Sequence, residues 1–261
     1  MTDTRRFEGR HVVVTGAGTG IGRAIALRLA GEGARLSLLA RDRARLDHTA
    51  REIGGRDGAA ALALACDVRD RARVDAAFAE AAERQGPLAA LVANAGVGGP
   101  NAPGPGDRFD EIVATNLTGT YSCLRAAERH LVPGPGARHV VVVASILARI
   151  GVPGYTGYCA SKAALLGLVR ALAAELAPAN VQVNAVCPGW VDTEMARGGL
   201  EGMARAMSVP FEEAKRVAMS AVPLGRMSAP EDVAGTVAWL LSPDARGVTG
   251  QGIDQNGGAW M

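Results

Sequence analysis

Short apolar runs recur along this chain, each followed by a longer segment whose apolar residues sit at helical spacing. The runs fall at residues 11–15, 35–40, 61–66, 88–93, 140–144 and 181–187. They are continuous rather than alternating, which predicts strands buried on both faces. Between them, segments such as 21–31 and 42–53 place apolar residues three or four apart, as a half-buried helix requires. Strand–helix alternation of this kind predicts a parallel sheet with helices on both sides. No repeat or linker divides the chain, so the expectation is a single doubly wound α/β domain over residues 1–261.

Two segments interrupt the alternation. Residues 97–107 are rich in Gly and Pro and predict a loop. Residues 190–223 are long, carry Met195, Met203 and Met207, and precede a helix expected near Ala229. Both follow strand ends of the kind where open α/β sheets bind ligands, and the second is the expected substrate lid.

Composition narrows the function classes. The 261 residues carry 28 basic and 26 acidic side chains, a net charge of +2 with both signs interspersed. That balance argues against a nucleic-acid binder, and 48% hydrophobic residues argue against disorder. The four cysteines (Cys66, Cys123, Cys159, Cys187) and four histidines show no ligand spacing, so no metal site is expected. The cysteines read as small apolar residues in a reducing compartment. The first ten residues lack a signal peptide's apolar core, and no apolar run is long enough for a bilayer. The expectation is a soluble, cytoplasmic protein without a membrane partner.

The segment Thr15-Gly-Ala-Gly-Thr-Gly-Ile-Gly22 lies directly between the first strand and first helix. Gly16 permits a tight turn, Gly20 lets the backbone approach a pyrophosphate, and Gly22 lets helix and strand touch. Gly18, Thr19 and Ile21 complete a turn whose helix N-terminus offers unpaired N–H groups to phosphate. In first strand–helix position this is a dinucleotide-binding signal. Cofactor choice is read at the end of the second strand, where Ala40 stands in place of the carboxylate that an NAD ribose requires. Arg41 follows, and a guanidinium can grip a 2′-phosphate with two hydrogen bonds. The reading favours NADP; Asp42 keeps NAD open as the alternative.

The second signal is Tyr158-Cys-Ala-Ser-Lys162. Lys162 and Lys215 are the only lysines, and there are only three tyrosines. Chance Tyr-x-x-x-Lys pairs are then expected roughly 0.02 times in such a chain. The pair opens a strongly helical segment, so both side chains share one face. A phenol beside an ammonium suits proton transfer to a carbonyl oxygen, since the charge lowers a tyrosine pKa from about 10.

With these residues in place the sequence resembles the short-chain dehydrogenase/reductase family over essentially its whole length. The resemblance also includes Cys66-Asp67-Val68, Ala93-Asn94-Ala95-Gly96, Asn116, Ser145, Pro188-Gly189 and Asn256-Gly257-Gly258. It implies a Rossmann-type fold and an NAD(P)-dependent oxidoreductase. Tyr158 would be the acid/base, Ser145 would bind the substrate oxygen, and Lys162 would contact the nicotinamide ribose and tune Tyr158. Asn116 would hold a proton-relaying water. Asp67 and Val68 would flank the adenine, Asn94, Ala95 and Gly96 would line the cleft, Val191 and Thr193 would meet the carboxamide, and Pro188 and Gly189 would also belong to the cofactor site. Ala93 stands where the family often has a second Asn. Gly18 and Thr19 stand where many NADP-using members carry a basic residue.

The presumed substrate pocket collects Ile146, Leu147, Tyr155, Trp190 and Met195, an apolar set suited to a bulky or aliphatic ketone. Around Cys187-Pro-Gly-Trp the chain looks like polyketide ketoreductases and 3-oxoacyl reductases. The expected function is therefore NADP-dependent reduction of an apolar or acyl-thioester ketone, with NAD-dependent oxidation of a secondary alcohol as the alternative. A non-catalytic NADP-binding sensor is the remote third reading, disfavoured because Tyr158 and Lys162 are both present. Arg125, Arg129 and Arg138 are candidates to receive an acyl carrier protein; a CoA thioester is the other acyl partner. The resemblance implies a homotetramer.

Overall fold

The computed structural model of the protein describes residues 5–55 and 61–261. The start of the amino-terminal stretch read above, residues 1–4, lies outside the described residues. The first half alternates strictly: β1 (His11–Thr15), α1 (Gly20–Gly31), β2 (Arg35–Ala40), α2 (Arg43–Gly54), β3 (Ala61–Ala65), α3 (Arg71–Gln85) and β4 (Ala90–Ala93). Next come α4 (Phe109–Val113), a π turn at Ala114–Gly119 and α5 (Thr120–Glu128). β5 (Arg138–Val143), α6 (Thr156–Leu176) and β6 (Val181–Pro188) complete the central part. The chain ends with α7 (Glu194–Met207), α8 (Phe211–Ser220), α9 (Pro230–Leu240) and β7 (Gly252–Gln255).

Among the described residues seven strands pair in parallel, in the order β3-β2-β1-β4-β5-β6-β7. Order reverses between β1 and β4, so a crevice opens at their carboxyl ends. Successive strand residues feed opposite layers, as the two-residue strand period demands. Val13, Leu91, Val140 and Val142 pack with α3, α5 and α6, whereas Val12, Val14, Val92 and Val141 pack with α1, α2 and α9. Both faces are covered, as the continuous apolar runs predict.

Two features depart from the sequence expectation. Residues 190–223 are not a long loop: α7 and α8 pack against each other there, with Thr193 capping α7 by accepting the Ala196 N–H. The seventh strand was not foreseen, because Gly252-Ile-Asp-Gln255 offers one apolar side chain to a pattern search. Its pairing with β6 supplies what the pattern lacks. Among the described residues, no helix is long and apolar enough to cross a membrane.

Candidate active site

The glycine turn is built as its sequence requires. Gly16 and Gly20 hold φ values of 66° and 52°, which glycine adopts without strain. A Cβ on Gly16 would lie 2.8 Å from the Asn94 amide and 2.9 Å from Ala95 Cα. One on Gly22 would run into the Gly16 carbonyl oxygen and Asn94. Asn94 braces this turn: its Nδ2 donates to the Thr15 and Gly16 oxygens, and its own N–H donates to Thr15 Oγ1 at 3.0 Å. Thr19 precedes α1 in extended conformation and makes no side-chain cap, leaving first-turn N–H groups for an external acceptor.

A cleft of about 300 Å³ opens beside this turn, lined by Gly16, Gly18, Thr19, Ala95 and Gly96. Arg41, Asp42, Arg45, Asp67 and Val68 line it too. Gly16 and Gly18, which line the cleft without side chains, and the uncapped helix terminus fit a dinucleotide. Arg41 is exposed. Asp42 caps α2 by accepting the Arg45 N–H, and its second oxygen lies 3.4 Å from the Arg45 guanidinium. The start of α2 packs on Gly18, where a Cβ would sit 3.1 Å from the Arg45 Cβ, and the Arg45 guanidinium pairs with Glu194. Asp67 is gripped by Arg69, whose guanidinium holds its carboxyl below the usual carboxylate range.

The remaining chemistry gathers at the ends of β4, β5 and α6. Lys162 is buried, and its Nζ donates to the Val143 oxygen at 2.8 Å and lies 5.7 Å from the Tyr158 ring centre. Burial lowers its pKa to about 8. Ser145 Oγ accepts the Leu147 N–H at 3.1 Å, and its hydroxyl is near enough to the Tyr158 phenol to lower that group's pKa. Burial nevertheless raises the Tyr158 pKa, and Ser145 opposes that only in part. The shift is opposite to the lowering expected from the neighbouring ammonium, because burial of the phenol is the largest influence on it.

Asn116 is fully buried in the π turn, a helical irregularity that recurs at functional sites. Its Oδ1 accepts the Val97 N–H at 2.8 Å, while its Nδ2 donates to the Val97 oxygen at 3.0 Å and to Ser161 Oγ at 3.2 Å. Gly96 threads between Asn116 and Lys162: a Cβ there would be 3.1 Å from Asn116 Oδ1 and 3.6 Å from Lys162 Nζ. A hydroxyl, a phenol and an ammonium thus converge beside the cleft, an arrangement able to donate a proton to a carbonyl oxygen.

Comparison with known proteins decides the family. The family model described as enoyl-(acyl carrier protein) reductase matches residues 16–259. The chain belongs to the short-chain dehydrogenase/reductase family. It is 33% identical to (3R)-3-hydroxyacyl-CoA dehydrogenase of Mus musculus, over the full length of both chains. It is 34% identical to the 3-oxoacyl-acyl-carrier-protein reductase of Staphylococcus aureus, covering 97% of this chain and 98% of that one. A crystal structure of an actinorhodin polyketide ketoreductase variant with NADPH superposes with a TM-score of 0.89 at 37% identity, covering 96% and 97% of the two chains. As a short-chain dehydrogenase/reductase, the protein is an oxidoreductase of a family that uses a nicotinamide cofactor.

In this short-chain dehydrogenase/reductase, α7 lies across the site. Met195 sits over Gly98, where a Cβ would be 2.8 Å from its sulfur, and the Thr193 methyl approaches Gly20. Glu194 pairs with Arg45 at 2.9 Å. Trp190 packs against α7 at Gly199; Ile146 is buried, Leu147 and Tyr155 are half-buried, and Met195 is exposed. Gly20, Ile21, Gly22, Asn94, Pro188, Gly189, Val191 and Thr193 do not line the cleft itself. Gly189 is fixed by packing, since a Cβ would meet Asn256 Cα at 2.9 Å. Val191 is buried and bridges to Ser228.

Sequence reasoning missed Arg45, Val97 and Thr115 as cleft residues. The signal for Arg45 is its place one helical turn beyond Arg41. The suggested docking arginines are engaged elsewhere. Arg125 pairs with Glu128 and Glu175, Arg129 pairs with Asp75, and buried Arg138 donates to the Gly134 and Ala179 carbonyls.

Proposed function

We propose that the protein is an NADP-dependent ketoreductase that converts an apolar or acyl-thioester ketone to its secondary alcohol. The observation that carries this reading is the convergence of Ser145, Tyr158 and Lys162 beside the glycine-turn cleft. Names of relatives support the substrate class, since they act on 3-hydroxyacyl-CoA and 3-oxoacyl groups. Arg45 supports the cofactor: it lines the cleft from α2, beside a turn that carries no basic residue of its own. Arg41 and Arg45 would hold the 2′-phosphate, and the backbone from Gly18 to Gly22 the pyrophosphate.

Reduced nicotinamide bound there supplies a hydride. Ser145 and Tyr158 hydrogen-bond the ketone oxygen, and Tyr158 delivers its proton as negative charge develops on that oxygen. A phenol held above its ordinary pKa is protonated at neutral pH, which is the form that a reductive general acid needs. Lys162 then stabilises the phenolate left behind, and Asn116 fixes the loop at Val97 that forms the site's wall.

Asp42 lining the same cleft favours the second reading, an NAD-dependent alcohol dehydrogenase. Initial rates with NADPH and NADH, across 3-oxoacyl thioesters and cyclic diketones, decide between them. Faster turnover with NADPH supports the ketoreductase; a preference for NADH overturns the phosphate-binding role of Arg41 and Arg45.

A further inference from the structure

The Gly/Pro-rich segment 97–107 contains one buried polar side chain, Asn101, which is 9% exposed. Its Oδ1 accepts the Gly157 N–H at 2.8 Å, and its Nδ2 donates to Asp107 Oδ1 at 3.1 Å. The Thr156 hydroxyl lies 3.0 Å from that Nδ2 and 3.2 Å from the Oδ1. The Asn101 N–H donates to the Gly154 oxygen at 2.8 Å. Asp107 Oδ1 in turn accepts the Phe109 N–H at 3.0 Å, at the first residue of α4.

These bonds do something that local sequence does not. Helix α6 has no side-chain cap of its own at Tyr155. Asn101 caps it from a distant loop, and the capped residue, Gly157, immediately precedes Tyr158. Gly157 admits the tie because a Cβ there would lie 3.2 Å from the Phe109 ring and 3.3 Å from Asn101 Oδ1. Through Asp107 the same tie reaches α4, which runs directly into the π turn that carries Asn116. Asn116 grips the other end of the loop at Val97. The loop is therefore a strut between the helix bearing Asn116 and the helix bearing Tyr158.

We propose that Asn101, acting with Asp107, is a positioning residue for Tyr158: it caps the first turn of α6 and fixes the phenol against Ser145. Without it the Gly157 N–H is buried and unpaired, and the turn that carries Tyr158 is free to fray. The inference rests on the reading of Tyr158 as the proton donor.

Reversing the polarity of the pair tests it. In Asn101→Asp the new carboxylate still accepts from Gly157 but faces Asp107. In the double variant Asn101→Asp with Asp107→Asn, an amide donates back to residue 101 and still accepts from Phe109. Ketone turnover, NADPH affinity and the ultraviolet phenolate titration of Tyr158 (taken as the difference from Tyr158→Phe, without ketone) are measured for each. Asn101→Ala is expected to lower kcat about tenfold or more while NADPH affinity stays within about twofold, because misplacement of the acid is felt mainly in the chemical step. Its Tyr158 titration midpoint moves toward the ordinary tyrosine value as water reaches the phenol. The single Asn101→Asp behaves as badly, and the double variant recovers to within about threefold of wild type.

Wild-type kcat and an unmoved Tyr158 midpoint in Asn101→Ala overturn the proposal. So does a double variant no better than Asn101→Asp. If no ketone is reduced by the wild type, the functional reading fails by itself, and the phenolate titration still decides whether Asn101 holds Tyr158.

Discussion

The Lys162 ammonium donates to the main-chain oxygen of Val143, two residues before Ser145, at 2.8 Å. One bond thus ties the helix carrying Tyr158 to the strand end that presents Ser145. Lys162 is a buried point charge with Gly96 close on one side, so a planar guanidinium cannot replace it. Lys162→Arg is expected to lower kcat/KM about a hundredfold with the fold retained, as circular dichroism and steady-state rates would show. Activity near wild type in that variant contradicts the point-charge role.

Gly22 is predicted to tolerate no side chain. A Cβ there meets the Gly16 oxygen and Asn94, both main parts of the turn's own bracing. Gly22→Ala should abolish measurable NADPH binding and destabilise the protein by about 1–3 kcal/mol, the usual range for overpacking. Fluorescence titration and urea unfolding check both; an alanine variant that binds NADPH normally contradicts the described close approach.

Cofactor preference should lie in two arginines. Arg41→Ala and Arg45→Ala are each expected to weaken NADPH binding about tenfold and leave NADH binding nearly unchanged, since each guanidinium would meet the 2′-phosphate alone. Arg45 is also paired with Glu194 at the start of α7. Glu194→Gln releases that competitor and should modestly tighten NADPH binding. Equal losses for both cofactors contradict the assignment.

Acid sensitivity should trace partly to His139, which is buried with an unpaired Nδ1. Burial, with Arg10 nearby, lowers its pKa to about 4. An unfolded histidine binds its proton near pH 6.5, so between about pH 6.5 and 4 the unfolded chain holds more protons. Stability therefore falls as pH falls through that window, by up to about 3 kcal/mol from this residue. His139→Phe should flatten the slope of unfolding free energy there; His11, lowered mainly by burial, accounts for part of what remains. An unchanged slope contradicts the assignment.

The doubly wound sheet was legible because six of its strands are continuous apolar runs, and the Gly16–Gly22 turn and Tyr158/Lys162 pair have spacings that chance seldom supplies. What escaped was set by tertiary contact. Strand β7 draws its pairing from β6, and the 190–223 segment becomes helical although glycines punctuate it. Arg45 reaches the cleft only because α2 folds over Gly18. The Tyr158 shift ran against the expectation because sequence spacing gives the proximity of Lys162 but not the burial of the phenol. Asn101 looked like an ordinary loop residue, since its partners lie 6 and 55–56 positions away.

The most direct measurement compares wild type with Tyr158→Phe, recording NADPH affinity and ketone-dependent NADPH oxidation on the same preparations. The account predicts affinity within about twofold of wild type and turnover lowered at least a hundredfold, the range expected for losing a general acid. Turnover equal to wild type would show that proton donation does not pass through Tyr158 and would contradict the account.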